Sequence, residues 1–273
     1  SLFTEVVGVI PMIEHTRSHV AQWMKPARLI RAARLFGLKA AVEPTPLGVV
    51  GIIGPWNFPI NLVILPAAAA FAAGNRVMIK MSEITPRTAE LMQHLAPRYF
   101  DATELAVVTG GREVAATFTT LAFDHLFFTG SPEVGKLVQQ AAAANLVPVT
   151  LELGGKNPVV VARDADIPMA AARIATARMV NGGQVCVCPD YVFVPADRVE
   201  EFVAVARRTL RSRFGSIVAN PDYCSCVNEA NFDRVLALLD DAADRGATVE
   251  SVAPPGEKLP DRASRKIAPT IVR

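Results

Sequence analysis

The stretch NGGQVCVCPD, at 181–190, sets a Gly-Gly break ahead of two cysteines, Cys186 and Cys188. A thiolate beside the N–H groups of such a break is a strong nucleophile, while the un-ionised thiol is a poor one. Cysteine is also a common buried apolar residue, so core packing is the competing reading. In LELGGK, at 151–156, Glu152 lies in an apolar strand between Leu151 and Leu153. Partial desolvation there would suit it to general-base work, and a structural salt bridge would explain it as well. Asn57, within PWNFP at 55–59, follows the apolar run VVGIIG. At the carboxyl end of a buried strand its amide would be placed to donate to a developing oxyanion, although an Asn flanked by prolines also forms turns.

HLFFTGSPEVGKL, at 125–137, puts a glycine-rich turn with Gly130, Ser131 and Gly135 between a strand and a helix. Such a turn aims backbone N–H groups and the positive helix end at an anion, so a phosphate site is expected, with a purely structural turn as the alternative. Gly130, four residues, Gly135 and Lys136 nearly reproduce a P-loop. Leu137 stands where the Mg²⁺-ligating hydroxyl belongs, which argues against an NTPase. Nor does the turn carry GxGxxG, so a standard Rossmann turn is not supported.

Cys186, Cys188, Cys224 and Cys226 form two C-x-C pairs, closer together than the ligand pairs usual at structural zinc. The histidines His15, His19, His94 and His125 show no HExxH spacing, and no GxSxG marks a serine hydrolase.

The scaffold these residues require is α/β. The 273 residues suffice for two domains or one large unit, and 51% hydrophobic against 20% charged residues exclude a disordered chain. The longest apolar run, 59–73, is interrupted by Asn61 and Pro66 and is too short to cross a bilayer, so no membrane span is expected. A net charge of +2 gives no field to recruit nucleic acid. Arg28, Arg31 and Arg34 recur every third residue and read as the solvated face of a helix.

Strands are expected at 49–53, 77–79, 105–108, 125–128, 148–153, 158–161, 191–194 and 267–272. Most are solidly apolar, as in parallel strands buried on both faces. Helices are expected at 61–73, 87–95, 133–144, 169–180, 199–213 and 231–245, and 34–43 reads as an extended arm or hairpin strand. The chain opens with no basic and apolar leader, and its cysteines do not form a disulfide framework, so a reducing compartment, the cytoplasm, is expected.

In this order, GPWNFP, GNRVMIKMSE, FTGSPEVGK, LELGGKNP and NGGQVCVCPDY closely resemble the aldehyde dehydrogenase superfamily, from about Glu43 to Arg273. AAAANLVPVTLELGGK and CVCPDYVFVP look most like its coniferyl aldehyde dehydrogenase branch, near the class 3 enzymes. The resemblance implies oxidation of an aromatic or apolar aldehyde to its acid with NAD, or NADP, as cofactor. It implies Cys186 as nucleophile, Glu152 as general base and Asn57 as oxyanion donor. Trp56, Lys80, Glu83, Gly130, Ser131, Gly135, Leu153 and Gly154 are then cofactor-binding residues: Lys80 and Glu83 at the adenosine ribose, Ser131 with the Gly130 to Gly135 turn at the pyrophosphate, Leu153 and Gly154 at the nicotinamide.

The implied fold is a doubly wound parallel-sheet cofactor domain, 1–152, with a strand of an oligomerisation hairpin within 34–50, and an incomplete α/β catalytic domain, 153–273. A small-molecule aldehyde substrate, no metal and a homodimer complete the expectation. The chain stops before the family's EIFGP segment and opens at Ser1 with a short lead to PWNFP, so it looks truncated at both ends. A fragment or degenerate copy that binds nucleotide or pairs with a longer subunit without turnover is the rival reading. Three positions depart from the family pattern: Met81 for proline, Gly182 for alanine, and Cys188 for a small apolar residue. The last places a second thiol beside the nucleophile and suggests a reversible Cys186–Cys188 disulfide under oxidation.

Overall fold

The structure, a computed structural model, describes residues 3–28, 37 and 40–273. It divides into two compact units, Ser1–Leu153 and Gly154–Arg273. The division falls one residue after the expected boundary, because Leu153 completes a strand of the first unit's sheet.

The first unit contains helix α1 (Val9–Trp23), a two-residue antiparallel pair β1 (Ala27–Arg28) and β2 (Ala41–Val42), and then an alternating series. The series runs β3 (Val49–Ile53), α2 (Asn61–Ala72), β4 (Arg76–Lys80), α3 (Pro86–Leu95), β5 (Leu105–Val108), α4 (Arg112–Thr119), β6 (His125–Gly130), α5 (Pro132–Ala143) and β7 (Val149–Leu153). The five longer strands form one parallel sheet in the order β5-β4-β3-β6-β7. Its strand order reverses between β3 and β6, and in doubly wound sheets ligands bind at the carboxyl ends beside such a reversal.

Alternation along β3 feeds two cores. Val50 and Ile52 pack with Val63, Ala67 and Ile79 beneath α2 and α3, while Ile53 packs with Phe118, Leu126, Phe128 and Val138 beneath α4 and α5. Ile52, Ile79, Leu126 and Val63 are completely buried, each worth roughly 1.5 to 3 kcal/mol of transfer free energy. Gly51 lets β3 fit here: a Cβ on it would lie 2.7 Å from the Phe123 ring and 2.8 Å from Leu126.

The second unit pairs β8 (Asn157–Val160) in parallel with β9 (Pro189–Phe193), and β10 (Val249–Ser251) antiparallel with β11 (Thr270–Val272). Helices α6 (Ile167–Arg178), α7 (Val199–Arg213) and α8 (Glu229–Asp244) complete it. Ile167 and Ala171 of α6 pack with Phe202, Val205 and Leu210 of α7. A smaller core gathers Ile217, Tyr223 and Ala268. There Lys266 Nζ donates to the carbonyls of Ile217, Val218 and Asn220 at 2.9, 3.1 and 2.6 Å, and the Glu257 carboxylate accepts the Ile217 and Val218 N–H groups.

Several expectations are corrected. Arg28 lies in β1 rather than on a helix face, because Pro26 follows the end of α1 and the chain turns extended; Arg31 and Arg34 lie outside the described residues. Within 34–50 only β2 and the start of β3 are strands among the described residues, and 34–36, 38 and 39 lie outside them. Helices α1 and α4 and strand β10 match no expected element. Both helices follow a glycine N-cap, Gly8 and Gly111, that offers no side-chain signal, and β10 is three residues long. The apolar run at 267–272 forms a strand only over Thr270–Val272, and it is antiparallel.

Candidate active site

In the first unit the carboxyl ends of four adjacent strands carry the expected groups. Trp56 and Asn57 follow β3, Lys80 ends β4 and Glu83 follows it, Gly130 ends β6 with Ser131 next, and Glu152 and Leu153 end β7. Register sets them level: Ile53 faces Lys80 and Phe128, and Thr129 and Gly130 face Glu152 and Leu153.

Asn57 and Trp56 are half-buried, and Asn57 Oδ1 accepts the Phe58 N–H at 3.1 Å, which fixes the plane of the amide. The loop that carries them is anchored at its far end by the buried Glu5, whose Oε2 accepts the N–H groups of Ile60 and Asn61 at 3.2 and 2.7 Å. Burial pushes the Glu5 carboxyl up, against the opposing pull of those two donors. Lys80 is 1% exposed; its Nζ donates to the Met81 carbonyl at 2.6 Å and lies 3.5 Å from the exposed Glu83 carboxylate.

Ser131 is the N-cap of α5, its Oγ accepting the Val134 N–H at 3.3 Å, with Pro132 at the first helical position. Gly130 is required, since a Cβ there would collide with the Phe128 ring. Exposed Glu133, in the first turn, is held below the usual carboxylate range by its own backbone N–H and then by the Ser131 hydroxyl. Thr129 Oγ1, one residue before the turn, is buried without a hydrogen-bond partner among the described residues.

Glu152 departs from expectation: it is exposed, not desolvated. Among the described residues strand β7 is the edge of the sheet, bonded to β6 on one side, which leaves its last residues open.

In the second unit Gly154 opens the segment leading to β8, and Cys186 is half-buried on the loop between α6 and β9. Asn181, Gly182 and Gly183 have φ of 51°, 61° and 77°, three left-handed residues in succession that reverse the chain after α6. Gln184 ties the loop outward, donating to Ser225 O at 3.2 Å and accepting the Val227 N–H at 3.0 Å. The Cys188 N–H donates to Val185 O at 3.2 Å, and the Cys186 N–H makes no hydrogen bond among the described residues. Cys188 is buried, its Sγ directed at the carbonyls of Ala177 and Arg178, 3.5 and 3.7 Å away, and all four cysteines are free. Its thiol serves the end of α6, the packing role allowed for any cysteine. Among the described residues no three His, Cys, Asp or Glu side chains cluster as a metal site needs.

One functional candidate escaped the sequence reading. Asn157, in LELGGKNP, begins β8 one residue earlier than expected, and its Nδ2 donates to the carbonyls of both Cys186 and Cys188, at 2.7 and 2.9 Å. A polar residue before proline reads as turn chemistry, so nothing local signalled this bridge.

A parallel sheet reversed at β3/β6, with a cysteine loop after a Gly-Gly turn in the second unit, defines an α/β protein. The Aldehyde dehydrogenase family description matches residues 3–273, and the chain belongs to that family. It is 48% identical over 272 residues to the coniferyl aldehyde dehydrogenase of Pseudomonas sp. strain HR199, covering 100% of this chain and 56% of that protein. Aldehyde dehydrogenase family 3 member A2 of Macaca fascicularis is 37% identical, covering 98% and 53%. The substrate-bound state of Staphylococcus aureus AldH superposes with a TM-score of 0.86 at 37% identity, over 98% of this chain and 57% of that one. Mycobacterium tuberculosis aldehyde dehydrogenase complexed with NAD+ gives a TM-score of 0.83 at 27% identity, over 98% and 55%. The chain thus spans about half the length of the curated relatives it matches. No helix among the described residues is long and apolar enough to cross a membrane.

Proposed function

We propose that this chain carries the cofactor-binding and nucleophile-bearing parts of an NAD(P)-dependent aldehyde dehydrogenase acting on coniferyl aldehyde or a similar aromatic or apolar aldehyde. The observation that carries the reading is the row of Asn57, Lys80, Ser131 and Glu152 along the carboxyl edge of one parallel sheet. The 48% identity to a coniferyl aldehyde dehydrogenase supports the substrate class.

The residues fit a dinucleotide. Lys80 and Glu83 offer a cation and a carboxylate at one strand end, Ser131 opens α5 with a helix N-terminus suited to an anion, and Thr129 Oγ1 has hydrogen-bonding capacity to spare. The Glu83 carboxylate suits a ribose 2′-hydroxyl better than a 2′-phosphate, favouring NAD. Trp56, Gly135, Leu153 and Gly154 complete the set we assign to it.

The Cys186 thiolate attacks the aldehyde carbon; a C–S bond forms and the carbonyl electron pair moves to oxygen. The Cys186 N–H and the Asn57 amide donate to that oxyanion. A nicotinamide cofactor, when bound, supplies the acceptor for the hydride that leaves the same carbon. Glu152 then takes a proton from water, the water oxygen attacks the thioester on Cys186, and the C–S bond breaks to give the carboxylic acid and a free thiolate. We assign the protein to the cytoplasm, on cysteine spacings that form no disulfide framework, and to a homodimer in the family manner.

The test is a stopped-flow record of NADH absorbance on mixing the chain with NAD and coniferaldehyde, beside Cys186→Ala. A burst present in the parent and lost in the variant is expected. A parent that is folded by circular dichroism yet gives no burst supports the rival, a nucleotide-binding fragment without turnover.

A further inference from the structure

The loop that presents Cys186 is fixed by the segment 155–157, which comes thirty residues earlier in the chain. One Nδ2 of Asn157 spans two carbonyls, those of Cys186 and Cys188, and leaves Val187 between them 77% exposed. A primary amide nitrogen has two N–H donors, and both are used here. The strand pairing slips at this place: Asn157 faces Pro189 but Pro158 faces Tyr191, a bulge between Asn157 and Pro158. The extra residue at this slip is Asp190 of β9. Two further contacts close the same seam. A Cβ on Gly155 would sit 3.2 Å from Cys186 O and 3.3 Å from Asn157 Oδ1, and Lys156 Nζ lies 3.0 Å from Asp190 Oδ2.

The peptide groups around the thiol are thereby oriented. Val185 O accepts the Cys188 N–H and Cys186 O accepts Asn157, so the carbonyls on both sides of Cys186 are engaged while the Cys186 N–H is not. We infer that Asn157 is a positioning residue for the nucleophile: its amide pins the Cys186 and Cys188 carbonyls and so holds the Cys186 N–H, with its thiol, ready to receive an oxyanion. The inference rests on the reading of Cys186 as nucleophile, but it concerns the loop alone and needs no cofactor. Without the amide, the Cys186–Val187 and Cys188–Pro189 carbonyls lose their shared donor, and the loop can turn carbonyl oxygens toward the place where negative charge develops.

Two reagents separate this role from general loosening. Acylation of Cys186 by p-nitrophenyl acetate builds an oxyanion at the attacked carbon, whereas alkylation by iodoacetamide does not. Both rates at Cys186 are followed by peptide mass spectrometry in the parent, Asn157→Ala, Asn157→Asp and Asn157→Ser. The ratio of acylation to alkylation is expected to fall roughly tenfold or more in Asn157→Ala. Asn157→Asp, which turns an acceptor toward two carbonyls, should fall as far, and Asn157→Ser, which keeps one hydroxyl donor, should recover part of the loss. An unchanged ratio in folded Asn157→Ala overturns the inference, as does a parallel fall of both rates with new labelling of the buried Cys188. Should Asn157→Ala not fold, the Asn157→Ser and Asn157→Asp pair decides by the same ratio. A parent that shows no NADH burst but a ratio that depends on residue 157 sinks the dehydrogenase reading and keeps this one.

Discussion

The Glu5 carboxylate accepts the Asn61 N–H at 2.7 Å across 56 residues of sequence, capping α2 from outside the helix. Helix α2 has no side-chain cap of its own, its N-cap being Ile60. The loop carrying Asn57 therefore ends on a donor pair, the Ile60 and Asn61 N–H groups, that Glu5 satisfies. Glu5→Ala is expected to cost about 1 to 2 kcal/mol, read as a lower urea midpoint with little change in slope. Glu5→Gln, which keeps an acceptor oxygen, should lose less.

Burial depresses the proton affinity of His125, whose Nε2 lies 2.9 Å from Thr150 Oγ1 between β6 and β7. The folded chain thus favours the neutral ring, and the unfolded chain binds more protons below its ordinary value of 6.5. Stability from this group is complete above that value and falls as pH drops through it toward the lower folded value. Denaturant midpoints at pH 7.5 and 5.5 should differ more for the parent than for His125→Gln; equal differences would remove His125 from the account.

Gly51→Val should destabilise the first unit by about 1 to 3 kcal/mol or prevent its folding, because β3 has no space for a side chain against Phe123 and Leu126. A thermal melt of the variant checks it, and an unchanged midpoint would mean that the Phe123 ring moves aside freely.

On the proposed chemistry, Asn57→Ala should slow formation of the NADH burst by about 10² to 10³. Glu152→Gln should leave the burst but slow release of the acid by about 10² to 10⁴. Rapid-quench assay of the carboxylate separates the two steps, and release at the parent rate in Glu152→Gln would strip Glu152 of its assigned role.

The five parallel strands were legible because each contains a short apolar run, and Ser131 at the start of α5 was announced by the Gly-Ser-Pro order around it. What could not be read depended on neighbours distant in sequence. Glu152 has the apolar flanks of a buried residue, and only the sheet order shows that its strand is an edge. Cys188 looked like a partner for Cys186, but its thiol is drawn to the last carbonyls of α6. Asn157 gave no local sign of its role, because its partners lie 29 and 31 residues away.

The Lys266 ammonium and the Glu257 carboxylate hold the irregular segment around Ile217 and Asn220 across 40 to 49 residues of chain. That arrangement sets an order of events on the ribosome. The five strands of the parallel sheet all lie within 49–153, so they leave the ribosome before any residue of the second unit. The segment from Ile217 to Asn220, by contrast, gains its Glu257 and Lys266 partners only near the end of the sequence.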